Sequence, residues 1–457
     1  MVLADVLKRW QTLQNKAALL CTGTDEHGMK VQRAAAFQDM DPKKFCDATS
    51  TTFRDLAEKT DMDHNFFIRT TDDAHMAAVE HFWRLLDEKG YIYQSKHQGW
   101  YCVSDETFYP PTSIEKTVDP ITGKPYMASV ETGNAVEFIE EKNYHFRMTA
   151  LKDRLLDFYD QNPEWVVPST KMTEVRRWVS DSLSDLSISR PRSRLEWGVP
   201  VPGDPTQTIY VWVDALINYL TVAGFPGKTP DELRAGGWPA DVHVLGKDIL
   251  RFHAVYWPAL LMALDLPLPK RILSHAHWTM NQRKMSKSLG NVVNPFFALD
   301  RWGVDAMRFY LIHDSHLDKD ASYDNAHIVD GYKKTLQGGL GNLLGRVTRP
   351  RAWNVRETVA AASTVVQAAK PASSLFSGTL EPFIAERVAS HAAMIQGRVE
   401  AAREDMEQLQ PGPALRNIAQ VIYEVCCDVF ESPAMPAYQD DVHRRTNSSR
   451  TRSRGAW

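Results

Sequence analysis

The apolar positions in the first half of the chain alternate between helical spacing and short continuous runs. A first helix is predicted by four positions at helical spacing, which are Leu3, Val6, Leu7 and Trp10. Residues 17–21 form an unbroken apolar run that is typical of a strand buried on both faces. Residues 209–213 and 242–245 predict two further buried strands. Because ligands of doubly wound α/β sheets sit beyond the carboxyl ends of such strands, the residues after each run are candidates for a binding site.

Polar and aromatic residues follow these predicted strands at regular spacing. The first run leads into Thr22-Gly23-Thr24-Asp25-Glu26-His27-Gly28, and the third leads into Gly246-Lys247-Asp248. Ala215 and Tyr219 lie four residues apart after the second run. The same spacing after the third run puts three side chains on one helical face, namely Ile249, His253 and Trp257. One pocket could collect all these groups, although Asp25 alone could be a helix N-cap and each aromatic alone an ordinary core residue.

The last third of the chain has a helical pattern. Residues 300–340 read as helical, and two amphipathic helices follow on either side of Pro411-Gly412-Pro413. Their apolar positions are Ile384, Val388, Ile395, Val399 and Met406 in the first, and Leu415, Ile418, Ile422 and Val425 in the second. Alanine and serine dominate residues 360–378, which predicts a loose connection. Arginines among serines predict a disordered basic tail over residues 431–457.

Composition limits the class of protein without naming it. A chain of 457 residues is expected to form roughly three domains. Hydrophobic residues at 43% and charged residues at 24% are ordinary globular values. The net charge of -4 argues against indiscriminate coating of nucleic acid and permits a local basic face for one structured RNA. No apolar run approaches the roughly 20 residues that cross a bilayer, so we expect no membrane association.

A lysine-serine loop carries the most specific chemistry in the sequence. The stretch Arg283-Lys284-Met285-Ser286-Lys287-Ser288-Leu289-Gly290-Asn291 places two lysines three residues apart among small hydroxyl residues, as a polyphosphate loop requires. Lysines that close on a departing pyrophosphate lower the barrier without covalent chemistry. The alternative is a solvated surface loop. The pentapeptide Lys-Met-Ser-Lys-Ser resembles the signature loop with which class I aminoacyl-tRNA synthetases hold ATP.

The string Thr-Gly-Thr-Asp-Glu-His-Gly at residues 22–28 closely resembles the methionyl-tRNA synthetase family, and the resemblance runs to about residue 425. It implies that Asp25 pairs with the amino group of methionine. It also implies a methionine pocket built from Trp212, Ala215, Tyr219, Ile249, His253 and Trp257. Aromatic rings and an isoleucine suit a polarisable thioether, which gains from sulfur-ring contact as well as burial.

The same resemblance assigns the ATP side of the site. Gly246 and Asp248 stand where the family receives ATP, the glycine allowing close approach and the carboxylate accepting from ribose hydroxyls. Lys284 and Lys287 would hold the phosphates together with Mg²⁺. Arg190 stands where the family places an arginine near the carboxylate and phosphate end of the substrates, a task that suits a guanidinium. An exposed surface arginine is the alternative for Arg190.

The sequence is expected to contain no structural zinc. Many relatives carry C-x-x-C in the connective insertion, whereas here Cys102 is followed by Asp105 with no second pair downstream. One thiolate and scattered carboxylates do not make a tetrahedral sulfur site. The five cysteines form no paired C-x-x-C knuckles, which favours a reducing compartment. His275 and His277 are interpreted as structural because no further ligands stand at suitable spacing.

The resemblance implies a fold and a domain order. The predicted fold is an α/β Rossmann-type parallel-sheet catalytic domain, split by a connective insertion and followed by an all-α anticodon-binding domain. The predicted divisions are a first catalytic half over 1–89, the insertion over 90–184, a second catalytic half over 185–290, a stem-contact region over 291–330, the helical domain over 331–430 and the tail over 431–457.

The sequence departs from the family pattern at both ends. The family begins with a strand leading to a His-Ile-Gly-His-like signature that contacts ATP, directly before the helix that here starts at Val2. We therefore expect a missing front, poor stability and little activity for the chain as written. After Ile422-Tyr423-Glu424 the sequence continues as Val425-Cys426-Cys427 rather than with the family's Asn-x-Tyr segment.

The resulting functional hypothesis is a methionine-tRNA ligase. Such an enzyme would form methionyl-adenylate from methionine and ATP and transfer the acyl group to tRNA(Met). The loop form favours a mitochondrial matrix enzyme of bacterial type, with the cytoplasm as the alternative, and a monomer is expected. Rival hypotheses are another class I aminoacyl-tRNA ligase, or a catalytically impaired homologue that serves as an RNA-binding remnant.

Overall fold

The computed structural model describes residues 1–105, 107–119, 122–280, 282–285, 291–348 and 382–428. The chain divides into two compact units. The first unit comprises Met1–Thr279, Lys284–Val304 and His316–Ala321. The second comprises Met280–Arg283, Asp305–Ser315 and Ser322–Trp457. The predictions of a loose connection over 360–378 and of a basic tail over 431–457 lie outside the described residues.

Helices and strands alternate in the first unit, as the fold prediction requires. Its α-helices are Val2–Leu13, Met29–Phe37, Pro42–Lys59, Asp73–Glu88, Lys152–Gln161, Ser169–Ser182, Val211–Ala223, Pro230–Ala235, Trp257–Ala263 and Pro295–Trp302. Single tight turns of helix occur at Pro111–Ser113, Met148–Leu151 and Lys247–Ile249, and a wider π-helical segment occupies Phe252–Tyr256. Short strands at Trp278–Met280, Arg283–Lys284 and Ala321–Ser322 follow.

Parallel strands form two sheets in the first unit. Cys21–Thr24 pairs with Phe66–Arg69. His243–Gly246 pairs with Ile272–His275, which also pairs with Val166–Val167. The predicted strand over residues 17–21 is wrong in its position, because the pairing begins only where Cys21 meets Phe66. Leu19 within that run is 57% exposed, so an apolar run alone did not reveal which residues enter the sheet.

Antiparallel strands separate the parallel ones along the chain. Ile92–Cys102 pairs with Glu137–Phe146 over a long ladder, and Thr107–Tyr109 and Leu186–Ser187 extend this sheet on either side. A hairpin joins Ile114–Val118 to Pro125–Ser129. A third antiparallel sheet contains Ser189–Pro191, Asp204–Ile209 and Pro200–Val201. These antiparallel strands lie in the region predicted as the insertion and at the start of the predicted second catalytic half, and those domain boundaries stay predictions.

The predicted buried strand over residues 209–213 is wrong. Strand Asp204–Ile209 ends there, and a helix occupies Val211–Ala223, which we call the pocket helix. Its first turn closes on the carbonyl of Tyr210, which accepts from the backbone N–H groups of Val213 and Asp214. Seven of its thirteen residues are buried, and the other six are partly exposed. The apolar run over residues 209–213 is too short to distinguish a helical period from a buried strand, which explains the error.

The main hydrophobic core of the first unit lies between the pocket helix, helix Asp73–Glu88 and the parallel strands. Its largest fully buried members include Phe82, Tyr159, Leu216 and Trp257. Aromatic rings inside it meet edge to face or tilted, as Phe82 and Trp257 do at a centroid distance of 6.3 Å. This core anchors the helices that carry the predicted pocket residues.

The rest of the described chain is helical, in agreement with the predicted all-α domain. The helical segments are Val304–His313, Asn325–Gly331, the π-helical Tyr332–Gly341, Asn342–Thr348, Pro382–Glu407 and Pro411–Asp428. The last two form an antiparallel hairpin, in which Arg398 pairs with Glu424 at 3.0 Å and Asn417 donates to Asp405 at 2.8 Å. None of the described helices is long and apolar enough to cross a membrane.

Candidate active site

The loop after strand Cys21–Thr24 presents one exposed carboxylate that is followed by two buried ionisable residues. Asp25 is exposed, whereas the residues that follow it, Glu26 and His27, are 3% and 5% exposed. We call residues 25–28 the first loop. Burying ionisable groups is costly unless each is paired, so their partners must be accounted for.

Glu26 is held by a network of donors. Arg69 donates to both of its carboxylate oxygens, at 2.7 and 2.8 Å. The hydroxyl of Thr24 donates at 2.6 Å and that of Thr71 donates as well, while the Glu26 backbone N–H reaches the hydroxyl of Thr70. Burial raises the pKa of the Glu26 carboxyl, but these hydrogen bonds outweigh burial and leave the pKa below its usual range.

His27 is held on the opposite side of the first loop by Asp214 in the pocket helix. Its Nδ1 lies 2.7 Å from Oδ2 of Asp214. The other oxygen of Asp214 lies 2.9 Å from Nε2 of His75, which belongs to helix Asp73–Glu88. Asp214 and His75 are 1% and 0% exposed. Burial raises the pKa of Asp214, yet the two imidazole donors hold it below its usual range.

The pocket helix meets the segment after strand His243–Gly246 through a tyrosine-histidine hydrogen bond. The hydroxyl of Tyr219 lies 2.8 Å from Nε2 of His253. Nδ1 of His253 lies 3.0 Å from the carbonyl oxygen of Ile249, to which it must donate. A neutral ring then leaves Nε2 as the acceptor for the Tyr219 hydroxyl.

Burial keeps both members of this pair neutral. It lowers the pKa of His253 to about 4 and raises the pKa of Tyr219, with a smaller contribution from the negative charge of Asp25. Asp25 is thus close enough to Tyr219 to act on it electrostatically. His243 packs against the Tyr219 ring at a centroid distance of 4.1 Å, and burial lowers its pKa to about 3.

The remaining predicted pocket residues lie on the same two segments as this pair. Trp212 stacks on Phe252 with ring centroids 3.7 Å apart. Trp257 is fully buried and lies 6.2 Å from the Tyr219 ring. Ala215 lies one turn before Tyr219 in the pocket helix, and Ile249 is tied to His253 as described. The π-helical segment Phe252–Tyr256 carries His253, so the predicted regular four-residue helical spacing is wrong in detail, although it identified residues that come together.

A cavity of about 180 Å³ opens beside Asp25. Its lining is mainly apolar and belongs to the first loop and helices Met29–Phe37 and Pro42–Lys59. The lining residues are Gly23, Thr24, Asp25, Glu26, Val31, Phe45, Cys46, Thr49, Ser50 and Phe53. Asp25 therefore borders this cavity while its charge also acts on Tyr219.

A second loop, residues 246–248, follows strand His243–Gly246 and is held by exposed ion pairs. A side chain at Gly246 would meet Oδ1 of Asp248 at 2.8 Å and Nε2 of His277 at 3.3 Å, so only glycine fits there without a shift. Nε2 of His277 lies 3.1 Å from Oδ1 of Asp248. Lys247 pairs with Asp320 at 2.6 Å, and the same Asp320 oxygen accepts the backbone N–H of His277. His277 thus stabilises this loop, which agrees with its interpretation as a structural residue and not a metal ligand.

Arg190 is buried in aromatic packing. It is 1% exposed, and its guanidinium lies over the rings of Tyr101, Phe108 and Tyr210 at 4.6 to 5.1 Å. Nη1 donates to the hydroxyl of Ser187 and to the carbonyl of Ser189. The surface-arginine alternative is wrong, because burial and cation-π contacts hold the side chain inside the unit. Its predicted place near the substrate carboxylate and phosphates stays a prediction.

The lysine loop is described only in part. Lys284 lies in the short strand Arg283–Lys284. Lys287 lies outside the described residues, as do Ser286, Ser288 and Gly290. The phosphate-binding role of both lysines therefore stays a prediction.

Asp105 serves as a hydrogen-bond hub in the antiparallel region. Its carboxylate accepts from the hydroxyls of Tyr109 and Thr132, at 3.0 and 2.6 Å, and from the amide of Asn134 at 2.7 Å. Burial and the neighbouring Asp105 raise the pKa of the Cys102 thiol to about 12, which favours its neutral form. Among the described residues no group of three or more His, Cys, Asp or Glu side chains could hold a metal ion.

Sequence reasoning missed the buried charged residues that support the first loop. Glu26 and His27 were read only as parts of a family string, and their partners Arg69, His75 and Asp214 were not singled out. One signal was available, since Asp214 directly follows the apolar run Tyr210-Val211-Trp212-Val213. A lone carboxylate next to such a run is rarely buried unless it is paired.

Comparisons with known proteins agree with this arrangement. The family model described as tRNA synthetases class I (M) matches residues 1–348. A probable mitochondrial methionine–tRNA ligase of Neurospora crassa is 58% identical over 436 residues, which are 95% of this chain and 68% of that relative. A probable mitochondrial methionine–tRNA ligase of Schizosaccharomyces pombe is 48% identical over 76% of this chain and 65% of its own length.

Solved structures give the same result. A Mycobacterium tuberculosis methionyl-tRNA synthetase bound by methionyl-adenylate superposes with a TM-score of 0.79 at 36% identity, over 92% of this chain and 77% of that chain. The match of the family model over residues 1–348 and this superposition show that the chain is a class I aminoacyl-tRNA synthetase. Within that class, the chain belongs to the methionyl-tRNA synthetase family. It spans about two thirds of the length of the two fungal relatives.

Proposed function

We propose that this chain activates methionine with ATP and transfers it to tRNA(Met). The observation that carries the proposal is the hydrogen bond between the half-buried Tyr219 and the buried His253, which lies among aromatic rings and has the negative charge of Asp25 acting on the tyrosine. A thioether side chain suits the rings, and an ammonium group suits the carboxylate. The two ends of methionine would thus be recognised by two different kinds of contact.

The chemistry requires positioning more than a nucleophilic side chain. The methionine carboxylate attacks the α-phosphorus of ATP in line, and the bond from that phosphorus to the bridging oxygen of pyrophosphate breaks. Asp25 would hold the ammonium, and Gly246 and Asp248 would receive the adenosine part. Orientation and charge stabilisation can supply most of the acceleration for such a step.

The phosphate side would depend on Lys284 and Lys287. Charge grows on the leaving pyrophosphate in the transition state, so lysines that close on it at that moment act on kcat rather than on methionine binding. Magnesium would arrive as the complex with ATP. Arg190, from its buried position, would act by ordering the strands around the pocket.

Partners and location follow from the relatives. Those from Neurospora crassa and Schizosaccharomyces pombe are named mitochondrial, which supports a mitochondrial matrix enzyme. Transfer RNA would contact the helical part of the chain, and we propose that the enzyme is a monomer.

The decisive experiment is amino-acid-dependent exchange of pyrophosphate into ATP. We expect exchange with methionine, at the low rate expected of the chain as written, and none with leucine or valine at equal concentration. Leucine-dependent exchange would contradict the pocket assignment and favour another class I ligase. Binding of tRNA(Met) without exchange by any amino acid would instead support an RNA-binding remnant.

A lysine variant tests the roles within the reaction. Lys287→Ala should slow adenylate formation by about 100-fold, or about 3 kcal/mol, while the affinity for methionine stays nearly unchanged. Single-turnover adenylation and equilibrium methionine binding separate the two effects. An equal loss in methionine binding would show that the assigned role is wrong.

A further inference from the structure

The carboxylate of Asp214 joins three separate segments of the first unit. It meets His27 of the first loop, belongs itself to the pocket helix, and meets His75 of helix Asp73–Glu88. All three side chains are at least 95% buried. Because a carboxylate only accepts hydrogen bonds, the ring nitrogens that face it both carry protons.

The network continues beyond His75 and closes on the pocket helix. Nδ1 of His75 lies 3.1 Å from the hydroxyl of Thr221, which is itself 3.1 Å from the carbonyl oxygen of Ile217. Asp214 and Thr221 lie two turns apart on the same helix. His75 thus bridges two points of the pocket helix, which restrains rotation of that helix about its axis.

The first loop is held from two sides, and Asp214 supplies one of them. On the other side Glu26 is locked by Arg69 and by threonine hydroxyls, as described above. Asp25 directly precedes these two anchored residues, so the fixed positions of Glu26 and His27 limit the directions that its exposed carboxylate can take. The direction of the Asp25 carboxylate therefore depends on the His27–Asp214 contact.

We propose that Asp214 is a positioning residue that orients Asp25 toward the amino group of the bound amino acid. The inference rests on the proposed function, because it assumes that Asp25 meets an ammonium group. Asp214 acts through His27 and does not touch the substrate. The residue after it, Ala215, and Tyr219 one turn further on belong to the pocket for the side chain. The buried Asp214 carboxylate thus fixes the distance between Asp25, which would bind the amino group, and the residues of the pocket helix that would bind the side chain.

The test compares two ligands that differ only in the amino group. Methionine and 4-(methylthio)butanoate are titrated into the full chain and into Asp214→Asn by equilibrium dialysis. We expect the methionine affinity of the variant to fall by roughly 10-fold or more, the size of a displaced charged hydrogen bond. The affinity for the analogue and for ATP should stay within about 2-fold, because neither contacts Asp25. Equal losses for both ligands would overturn the inference and indicate a general structural role.

A double-variant cycle gives an independent readout. In an Asp25→Asn background, Asp214→Asn should cause little further loss of methionine affinity, since the group that it positions is already gone. Additive losses would overturn the inference. Asp241→Asn, which removes an exposed carboxylate paired with Lys270, is the matched control.

Histidine variants cover the case in which Asp214→Asn does not fold. His27→Asn keeps a side-chain N–H near the position of Nδ1 and should retain most of the preference for methionine over the analogue, whereas His27→Ala should lose it. The same preference in both His27 variants would overturn the inference.

If the unmodified chain binds no methionine, both the proposed function and the inference are wrong. If that chain binds methionine but the variants lose affinity equally for methionine and for the analogue, only the inference is wrong.

Discussion

The two loops that follow parallel strands in the first unit hold their charged residues in opposite ways. In the first loop Glu26 and His27 are buried and each is bound by a buried partner. In the second loop Lys247 and Asp248 are 35% and 50% exposed in their side chains, and their partners Asp320 and His277 lie near the surface. Both loops begin at the carboxyl end of a strand, yet one is part of the core and the other is part of the surface.

The difference indicates which half of the site is organised before substrate arrives. Buried hydrogen bonds are costly to break, so the first loop and the Tyr219–His253 pair should keep one geometry. Exposed ion pairs contribute about 0–1 kcal/mol and are screened by salt, so the second loop can rearrange at little cost. We therefore expect recognition of methionine to be rigid and recognition of ATP to be adaptable.

The largest expected effect is on stability at mildly acidic pH. Burial lowers the pKa of His243 to about 3 and that of His253 to about 4. In the unfolded chain a histidine has a pKa of about 6.5. The contribution of the two buried rings to the free energy of unfolding is present above that pH and is lost as the pH falls below it, because only the unfolded chain takes up protons there. From pH 7 to pH 5 we expect a loss of about 2 kcal/mol for each ring.

Urea unfolding followed by tryptophan fluorescence at both pH values measures this loss. His243→Gln should remove about half of the pH dependence. His316→Gln, at an exposed position, is the matched control and should leave it unchanged. A wild-type free energy of unfolding that is equal at the two pH values would mean that these rings are not buried neutral groups.

Removing the carboxylate of Asp25 should have the next largest effect. In Asp25→Asn the kcat/KM for methionine should fall by about 100-fold, or about 3 kcal/mol, because the bound ammonium loses its charged partner. The KM for ATP should hardly change, and exchange kinetics at saturating ATP give both constants. A comparable rise in the KM for ATP would show that the two sides of the site are not separable.

Tyr219→Phe should have a smaller effect on the same side. It leaves Nε2 of His253 without its donor inside the core, at a cost of about 1–2 kcal/mol that should be seen mainly in methionine affinity. Tyr332→Phe, at a half-exposed tyrosine, is the matched control. An unchanged methionine affinity would contradict a pocket role for the tyrosine hydroxyl.

The smallest effect is expected in the second loop. Lys247→Ala breaks an exposed pair with Asp320, so the KM for ATP should rise by no more than about 5-fold, corresponding to about 1 kcal/mol. The difference between variant and wild type should shrink in high salt. Lys270→Ala, which breaks another exposed pair, serves as the control. A large loss that is insensitive to salt would show that this loop is as rigid as the first.

Spacing and motif resemblance predicted which residues lie near one another better than the elements that carry them. Tyr219, His253 and Trp257 do come together, and the α/β and all-α classes are confirmed. The strand predicted over 209–213 is mostly the start of a helix, because so short an apolar run does not reveal its period. The run at 17–21 was placed four residues too early because apolar residues outside the sheet resemble those within it.

The supporting residues could not be predicted because their partners are far away in sequence. His27 and Asp214 are separated by 187 positions, and His75 and Asp214 by 139. No local pattern links such residues, and only the folded chain brings them within hydrogen-bond distance. Arg190 illustrates the same limit, since three rings from separate segments surround a side chain that could also have been read as exposed.

The hydrogen bond between Tyr219 and His253 has a consequence for the errors that such an enzyme would make. The hydroxyl proton of Tyr219 is already engaged by Nε2, so it is not available to an incoming side chain. A glutamine side chain, similar in length to methionine, would lose its bonds to water on entry without gaining this donor, at a cost of about 1–3 kcal/mol. Norleucine, which has a methylene in place of the sulfur, would lose only the sulfur-ring contacts, about 0.3–1.5 kcal/mol. The pocket would therefore reject polar side chains well and straight apolar ones poorly, so mischarging should follow polarity rather than size.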